Sequence, residues 1–91
     1  MLLAALPGHE LIGEGLADLE RGHSSAAAFL VLIGAERLRK AGIAVPHVVS
    51  ANPEHALYEL LASEDPDSAH SRYNALIRQL VSFERAAECA A

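Results

Sequence analysis

Tryptophan and threonine do not occur in this sequence, and aromatic residues are scarce. Most of the core must therefore consist of Leu, Ile, Val and Ala side chains. Few β-branched residues lie outside residues 43–49, so the intrinsic conformational preference of the chain is helical. The aromatic residues are Phe29, Tyr58, Tyr73 and Phe83. These features predict an all-α protein.

The sequence also has a single cysteine and little positive charge. Cys89 cannot form an internal disulfide, which fits a reducing compartment. The first residues, MLLAAL, are too short for the apolar region of a signal peptide, so we predict no export signal and a cytoplasmic location. The net charge of −5 argues against a nucleic-acid partner, because phosphate backbones are bound by clustered Lys and Arg.

One long uncharged run dominates the sequence. Residues 26–35 carry no charge and are almost entirely apolar, so a helix formed by them has no polar face and needs neighbours on all sides. The run is about half as long as a membrane span, and a charged stretch at residues 36–40 follows it. We therefore predict a buried central helix that does not cross a membrane.

Three further segments have helical periodicity. Suitable end residues flank these segments and the central helix. Gly22 and Gly42 suit the position just after a helix C-terminus. Ser25 and Asn52 suit the N-cap, and Pro53 suits the first helical position. The sequence predicts a single-domain, all-α, small four-helix bundle of two helical hairpins, with helices at about residues 8–21, 25–41, 53–63 and 67–88.

An extended, Pro-containing connector is predicted between the second and third of these helices. Within residues 43–51, Pro46 lacks an amide donor and biases Val45 towards an extended conformation. The sequence offers no second strand with which this segment could pair. We therefore expect the connector to pack through its Val and Ile side chains without joining a sheet.

The first predicted helix has an acidic row and two glycines. Glu10, Glu14 and Asp18 recur every four residues and indicate a solvent-exposed face; docking of a basic partner is the alternative. Gly13 and Gly15 weaken this helix unless another element approaches closely. Gly15 lies on the apolar face, where such an approach can occur.

No catalytic, cofactor or metal motif is recognisable. Glu20 and His23 have the Glu-x-x-His spacing of di-iron carboxylate bundles. Those sites need a second such pair and further Glu residues, and Gly22 should end the helix before His23. We therefore predict no catalytic residue, no metal and no cofactor, and we expect that the protein is not an enzyme.

A polar ridge on the last predicted helix is the main candidate for a ligand or partner site. His70, Asn74 and Arg78 recur every four residues and could hold an anion or a carboxylate, although a solvated surface has the same pattern. In general shape the predicted bundle resembles HEPN-type proteins, many of which are ribonucleases with an Arg and a following His separated by four to six residues. No Arg in this sequence is followed in that way, so the resemblance implies no activity. A hydrolase or nuclease with a site near this ridge is the alternative function.

We expect a non-enzymatic helical protein-interaction module that forms a homodimer. A chain of 91 residues offers little surface to cover the central helix, so apolar surface should remain and mark association. The alternatives are a monomeric core completed by the N-terminal leucines and the connector, and an unidentified protein partner. Glu84 borders the apolar arc of the last helix and should be paired or lie at an interface rim. The apolar interface candidates are Leu2, Leu3, Leu6, Val48, Val49, Val81 and Phe83.

Overall fold

The computed structural model describes residues 5–90, and the regular secondary structure of these residues is entirely helical. The predicted all-α class is therefore confirmed. The five helices are α1 (His9–Glu20), α2 (Ala26–Ile33), α3 (Ala35–Lys40), α4 (Pro53–Glu64) and α5 (Ala69–Ala90).

The prediction of one continuous helix over residues 25–41 is wrong, because Gly34 separates α2 from α3. The Gly34 backbone has φ −94° and ψ 6°, which departs from α-helical geometry. A Cβ atom at this position would lie 2.8 Å from Leu80 Cδ1 and 2.8 Å from Glu84 Oε2. Glycine has a low helix propensity, and here it also lets α5 approach the backbone at the junction.

The predicted helix ends agree with the structure at several positions. Ser25 caps α2 by accepting a hydrogen bond from the Ala28 amide (3.0 Å), and Asn52 caps α4 in the same way from the His55 amide (3.1 Å). Gly22 and Gly42 follow the ends of α1 and α3 with φ values of +71° and +92°, in the left-handed region that favours glycine.

The last helix begins later and ends later than predicted. Its start is delayed by a turn at residues 66–68, which the Asp65 side chain closes by accepting hydrogen bonds from the Asp67 amide (3.2 Å) and from Ser68 Oγ (2.9 Å). Asp65 therefore organises the turn before α5, and α5 itself starts at Ala69.

The core surrounds α2, which packs against α1, α4 and α5. The packing of α1 on α2 depends on Gly15, because a Cβ atom there would overlap the Ala27 carbonyl oxygen and lie 2.5 Å from Val31 Cγ2. The close approach suggested by the apolar position of Gly15 is thus confirmed. The largest fully buried side chains are Ile12, Leu30, Val31, Leu38, Leu57, Leu61 and Phe83.

The connector between α3 and α4 contains no strand, as predicted, but the expected packing of its Val and Ile side chains holds only in its first half. Ile43 and Val45 are buried in the core. The Arg39 guanidinium donates hydrogen bonds to the carbonyl oxygens of Val45 (3.1 Å) and Pro46 (3.2 Å), which fixes the backbone at this point. Beyond Pro46 the chain leaves the core, and His47 is exposed.

Within residues 5–90, no helix has the length and apolar content needed to cross a membrane.

Candidate functional site

The structure brings together two of the three residues of the predicted polar ridge. Asn74 Nδ2 and His70 Nε2 are 3.2 Å apart on adjacent turns of α5. Arg78 is exposed on the next turn and lines a separate shallow cleft with Pro7 and Gln79. In the described part of the chain, no group of three His, Cys, Asp or Glu side chains could hold a metal ion.

The predicted interface residues occupy several different environments. Val81 is half-buried, and Leu6 is half-buried against the core. Phe83 was expected at an exposed edge of the last helix, but it is only 1 % exposed and belongs to the core, which corrects that expectation. Leu2 and Leu3 lie outside the described residues.

Val48 and Val49 are the exposed members of the predicted set. Val48 is 44 % exposed and Val49 is 100 % exposed. They lie beside the half-buried Leu32 and Pro53, and together these four residues form a surface that we call the connector patch. The patch borders a cleft of about 310 Å³, which Ala35, Arg39, His47 and Ser50 also line.

A charged cluster that the sequence did not reveal joins α3 to α5. Arg37 binds Glu88 through two hydrogen bonds of 2.8 Å, from Nε to Oε2 and from Nη2 to Oε1. Its Nη1 atom donates a longer bond of 3.3 Å to Oε1 of Glu84. Glu84 is therefore paired, which is one of the two arrangements expected for it.

The three members of this cluster have different electrostatic environments. Burial raises the pKa of Glu84 above its usual value, and the nearby positive charge of Arg37 opposes this shift only in part. The hydrogen bonds from Arg37 lower the pKa of Glu88. Arg37 thus interacts more strongly with the half-exposed Glu88 than with the buried Glu84.

A second polar cluster closes the corner between α1 and α2, and it corrects the expectation that Asp18 belongs to an exposed acidic face. Asp18 is only 3 % exposed. Its carboxylate accepts hydrogen bonds from Ser25 Oγ (2.6 Å) and from Arg21. Both hydrogen bonds lower the pKa of Asp18 below its usual value, and the bond from Ser25 has the larger effect. Glu10 and Glu14 are exposed as expected.

Replacing Ser25 by Ala should reduce the free energy of unfolding by about 1–2 kcal/mol, because α2 loses its N-cap. The Asp18 carboxylate also loses its Ser25 donor. Because the folded-state pKa of Asp18 is lowered, the stability it contributes is present above its unfolded pKa and disappears as the pH falls through the lowered value. Urea unfolding at neutral and acidic pH measures both effects, and the deficit of the variant should shrink in acid.

Ser24→Ala is the matched control, because Ser24 is exposed and is not the cap of α2. Its free energy of unfolding should stay within about 0.5 kcal/mol of the wild-type value. Equal losses for the two variants would contradict the role assigned to Ser25.

Comparisons with protein-family models, with curated proteins and with solved structures find no match to this chain.

Proposed function

We propose that the protein is a non-enzymatic helical interaction module that forms a two-fold homodimer through the connector patch. The observation that carries this proposal is the exposure of Val49 and Val48 beside Leu32 and Pro53. Neighbouring exposed apolar side chains of this kind mark association surfaces, and closed two-fold pairing is the commonest way to bury one.

The way the connector is held supports the same proposal. Ile43 and Val45 already fill the core, so the fold does not need Val48 or Val49 for its own packing. Arg39 fixes the backbone immediately before the patch through the carbonyl oxygens of Val45 and Pro46. A surface presented on a fixed backbone loses less conformational entropy on binding than one on a free loop.

The proposal also includes the arrangement of the helices. The five helices act as a four-helix bundle of two hairpins, in which α2 and α3 are the two halves of one central helix bent at Gly34. The packing of α1 on α2 and of α4 on α5 supports this arrangement. A cytoplasmic location remains part of the proposal, since the single Cys89 suits a reducing compartment.

Val49→Asp should convert the dimer into a monomer. The substitution is present in both protomers of a two-fold dimer, so it buries two unpaired carboxylates. Each costs about 3 kcal/mol or more, and together they weaken dimerisation by roughly four orders of magnitude. Light scattering and sedimentation over a range of micromolar concentrations measure the change. The control is Ser71→Asp, which adds the same charge at an exposed site in the first turn of α5 and should leave the dimer intact.

Two results would contradict the homodimer. The first is a wild-type protein that stays monomeric at high concentration, which would leave an unidentified protein partner as the occupant of the patch. The second is a Val49→Asp variant that dimerises as tightly as the wild type, which would move the interface elsewhere.

A hydrolase or nuclease with its site on α5 is the second candidate function. The contact between Asn74 Nδ2 and His70 Nε2 favours it, because a neighbouring amide can hold an imidazole in the orientation that proton transfer requires. Hydrolase and nuclease screens of the wild type and of His70→Ala test this candidate. Robust turnover that disappears in the variant would replace the interaction-module proposal.

A further inference from the structure

The cleft that the connector patch borders has a charge that the proposed function does not use. It lies where the connector meets α2, α3 and the first residue of α4, and its volume is about 310 Å³. This volume is at the lower end of the range for small-molecule sites, roughly 300–1,000 Å³. We call it the connector cleft. The four residues of the connector patch line it together with Ala35, Arg39, His47 and Ser50.

Arg39 gives the connector cleft a net positive charge. Among the described residues that line the cleft, Arg39 contributes one positive charge, and no Asp or Glu opposes it. Arg39 is half-buried, and it forms no ion pair within residues 5–90. Its hydrogen-bond acceptors there are the neutral carbonyl oxygens of Val45 and Pro46. A half-buried cation without a countercharge favours an anionic ligand.

The Arg39 guanidinium also keeps hydrogen-bond donors for such a ligand. Nε and Nη2 donate to the connector carbonyl oxygens at 3.1–3.3 Å, which holds the side chain in place. Nη1 donates no hydrogen bond to any group within residues 5–90. Because no buried side-chain nitrogen in this part of the chain lacks a partner, Nη1 is accessible to solvent. Its two N–H groups are therefore available on a side chain that is already ordered.

We propose that the connector cleft binds one carboxylate group carried on a short apolar chain. The carboxylate accepts hydrogen bonds from Nη1 of Arg39, and Ser50 adds a hydroxyl group to the same cleft. The apolar chain packs against Leu32 and Pro53. One guanidinium balances one carboxylate, so the cleft selects a single negative charge. A small free carboxylic acid and a Glu side chain of another protein share this chemistry.

The carboxylate site does not rest on the proposed dimer, because all the residues of the cleft belong to one chain. A partner chain on the connector patch would cover the cleft, so the affinity is measured at several protein concentrations and extrapolated to the monomer. Sedimentation of the same samples gives the oligomeric state. Saturable binding by a protein that stays monomeric would contradict only the dimer, and a monomer that does not bind would contradict only the carboxylate site.

Amide NMR spectra of the full-length, isotope-labelled protein at neutral pH provide the test. The probe is sodium butyrate, and sodium chloride at equal ionic strength is the reference. We expect saturable shifts at the amides of Val48 and Ser50 and at the Nε–H group of Arg39. The uncharged probe 1-butanol has the same apolar chain, and its shifts should not saturate over the same concentrations.

Two variants test the role of the positive charge. Arg39→Gln should weaken butyrate binding by about tenfold or more, because the neutral amide loses the charge that strengthens the hydrogen bond. Arg39 also holds the connector, so a second variant leaves it in place. Ser50→Asp adds a carboxylate that cancels the net charge of the cleft, and it should weaken binding by a similar factor. Ser71→Asp adds the same charge at an exposed site on α5 and should bind as the wild type does.

A second probe, Nα-acetyl-glutamic acid α-amide, distinguishes the two sources of the carboxylate. Binding of both probes supports the shared chemistry. Binding of the glutamate derivative alone identifies a protein side chain, and binding of butyrate alone identifies a small acid. Three results would overturn the proposal: no saturable shift with either carboxylate, 1-butanol bound as tightly as butyrate, or butyrate bound by Ser50→Asp as tightly as by the wild type.

Discussion

Gly15→Ala is expected to lower the free energy of unfolding by about 3 kcal/mol, at the upper end of the range for overpacked sites. The added methyl group would collide with the Ala27 carbonyl oxygen and with Val31 Cγ2. The carbonyl belongs to the backbone of α2, so it cannot turn away as a flexible side chain could. The collision can be relieved only by moving α1 away from α2, which exposes the core between them.

Gly13→Ala is a stringent control for this effect. A Cβ atom at Gly13 would have no heavy atom within 4 Å, and Gly13 is exposed on the same helix. Alanine has the higher helix propensity, so this variant should be more stable than the wild type by up to about 1 kcal/mol. Chemical unfolding followed by far-UV circular dichroism measures both variants.

The two glycine variants should therefore change stability in opposite directions. A Gly15→Ala protein as stable as Gly13→Ala would show that α1 does not pack closely on α2, and the arrangement of these two helices would need revision.

Phe83→Ala is expected to cost about 3–5 kcal/mol, because it removes a fully buried aromatic ring and leaves a cavity in the core. Val49→Ala should change the stability of the monomer by no more than about 0.5 kcal/mol, since Val49 is fully exposed. The sequence pattern suggested exposed apolar surface at both positions. In the structure Phe83 is buried and Val49 is exposed.

Thermal and chemical unfolding at several protein concentrations distinguish core packing from dimer contacts. The loss caused by Phe83→Ala should be independent of concentration, because the ring packs within one chain. If the proposed dimer forms, any effect of Val49→Ala should appear only at concentrations at which the dimer is populated. A mild, concentration-dependent effect of Phe83→Ala would place this ring at an interface instead.

The helices were predictable because their signals are local. Ser25 and Asn52 cap helices through amides only three residues away, and Gly22 and Gly42 end helices through their own backbone conformations. The break at Gly34 was not predictable in the same way, because it accompanies a close approach by Leu80 and Glu84 from distant parts of the chain.

Among the candidate site residues, the exposed ones that were predictable are those in the connector outside the helices. Val48 and Val49 follow Pro46, and the chain leaves the core beyond that residue. Helical periodicity placed Asp18 among exposed residues, but it does not show that the next turn folds back and brings Ser25 to the carboxylate.

The Arg37 cluster illustrates a long-range interaction hidden by a local explanation. Arg37 lies near a helix C-terminus, where a cation is favoured by the helix dipole. Nothing in the sequence pattern therefore required an acidic side chain as its partner. Its partners lie 47 and 51 residues further along the chain. The four-residue spacing of Glu84 and Glu88 is the only sequence signal of a shared partner, and it does not identify which cation they bind.

The connector also bears on how this protein can tolerate changes in length. Ile43 and Val45 are held in the core and by Arg39, whereas Val49 makes no comparable packing contact. Residues inserted between Val48 and Val49 would extend the chain outside the core, where a longer loop adds little entropic cost. Insertions at this point would alter the exposed surface of the connector while preserving the helices beneath it, so the length of this loop can vary without a change of fold.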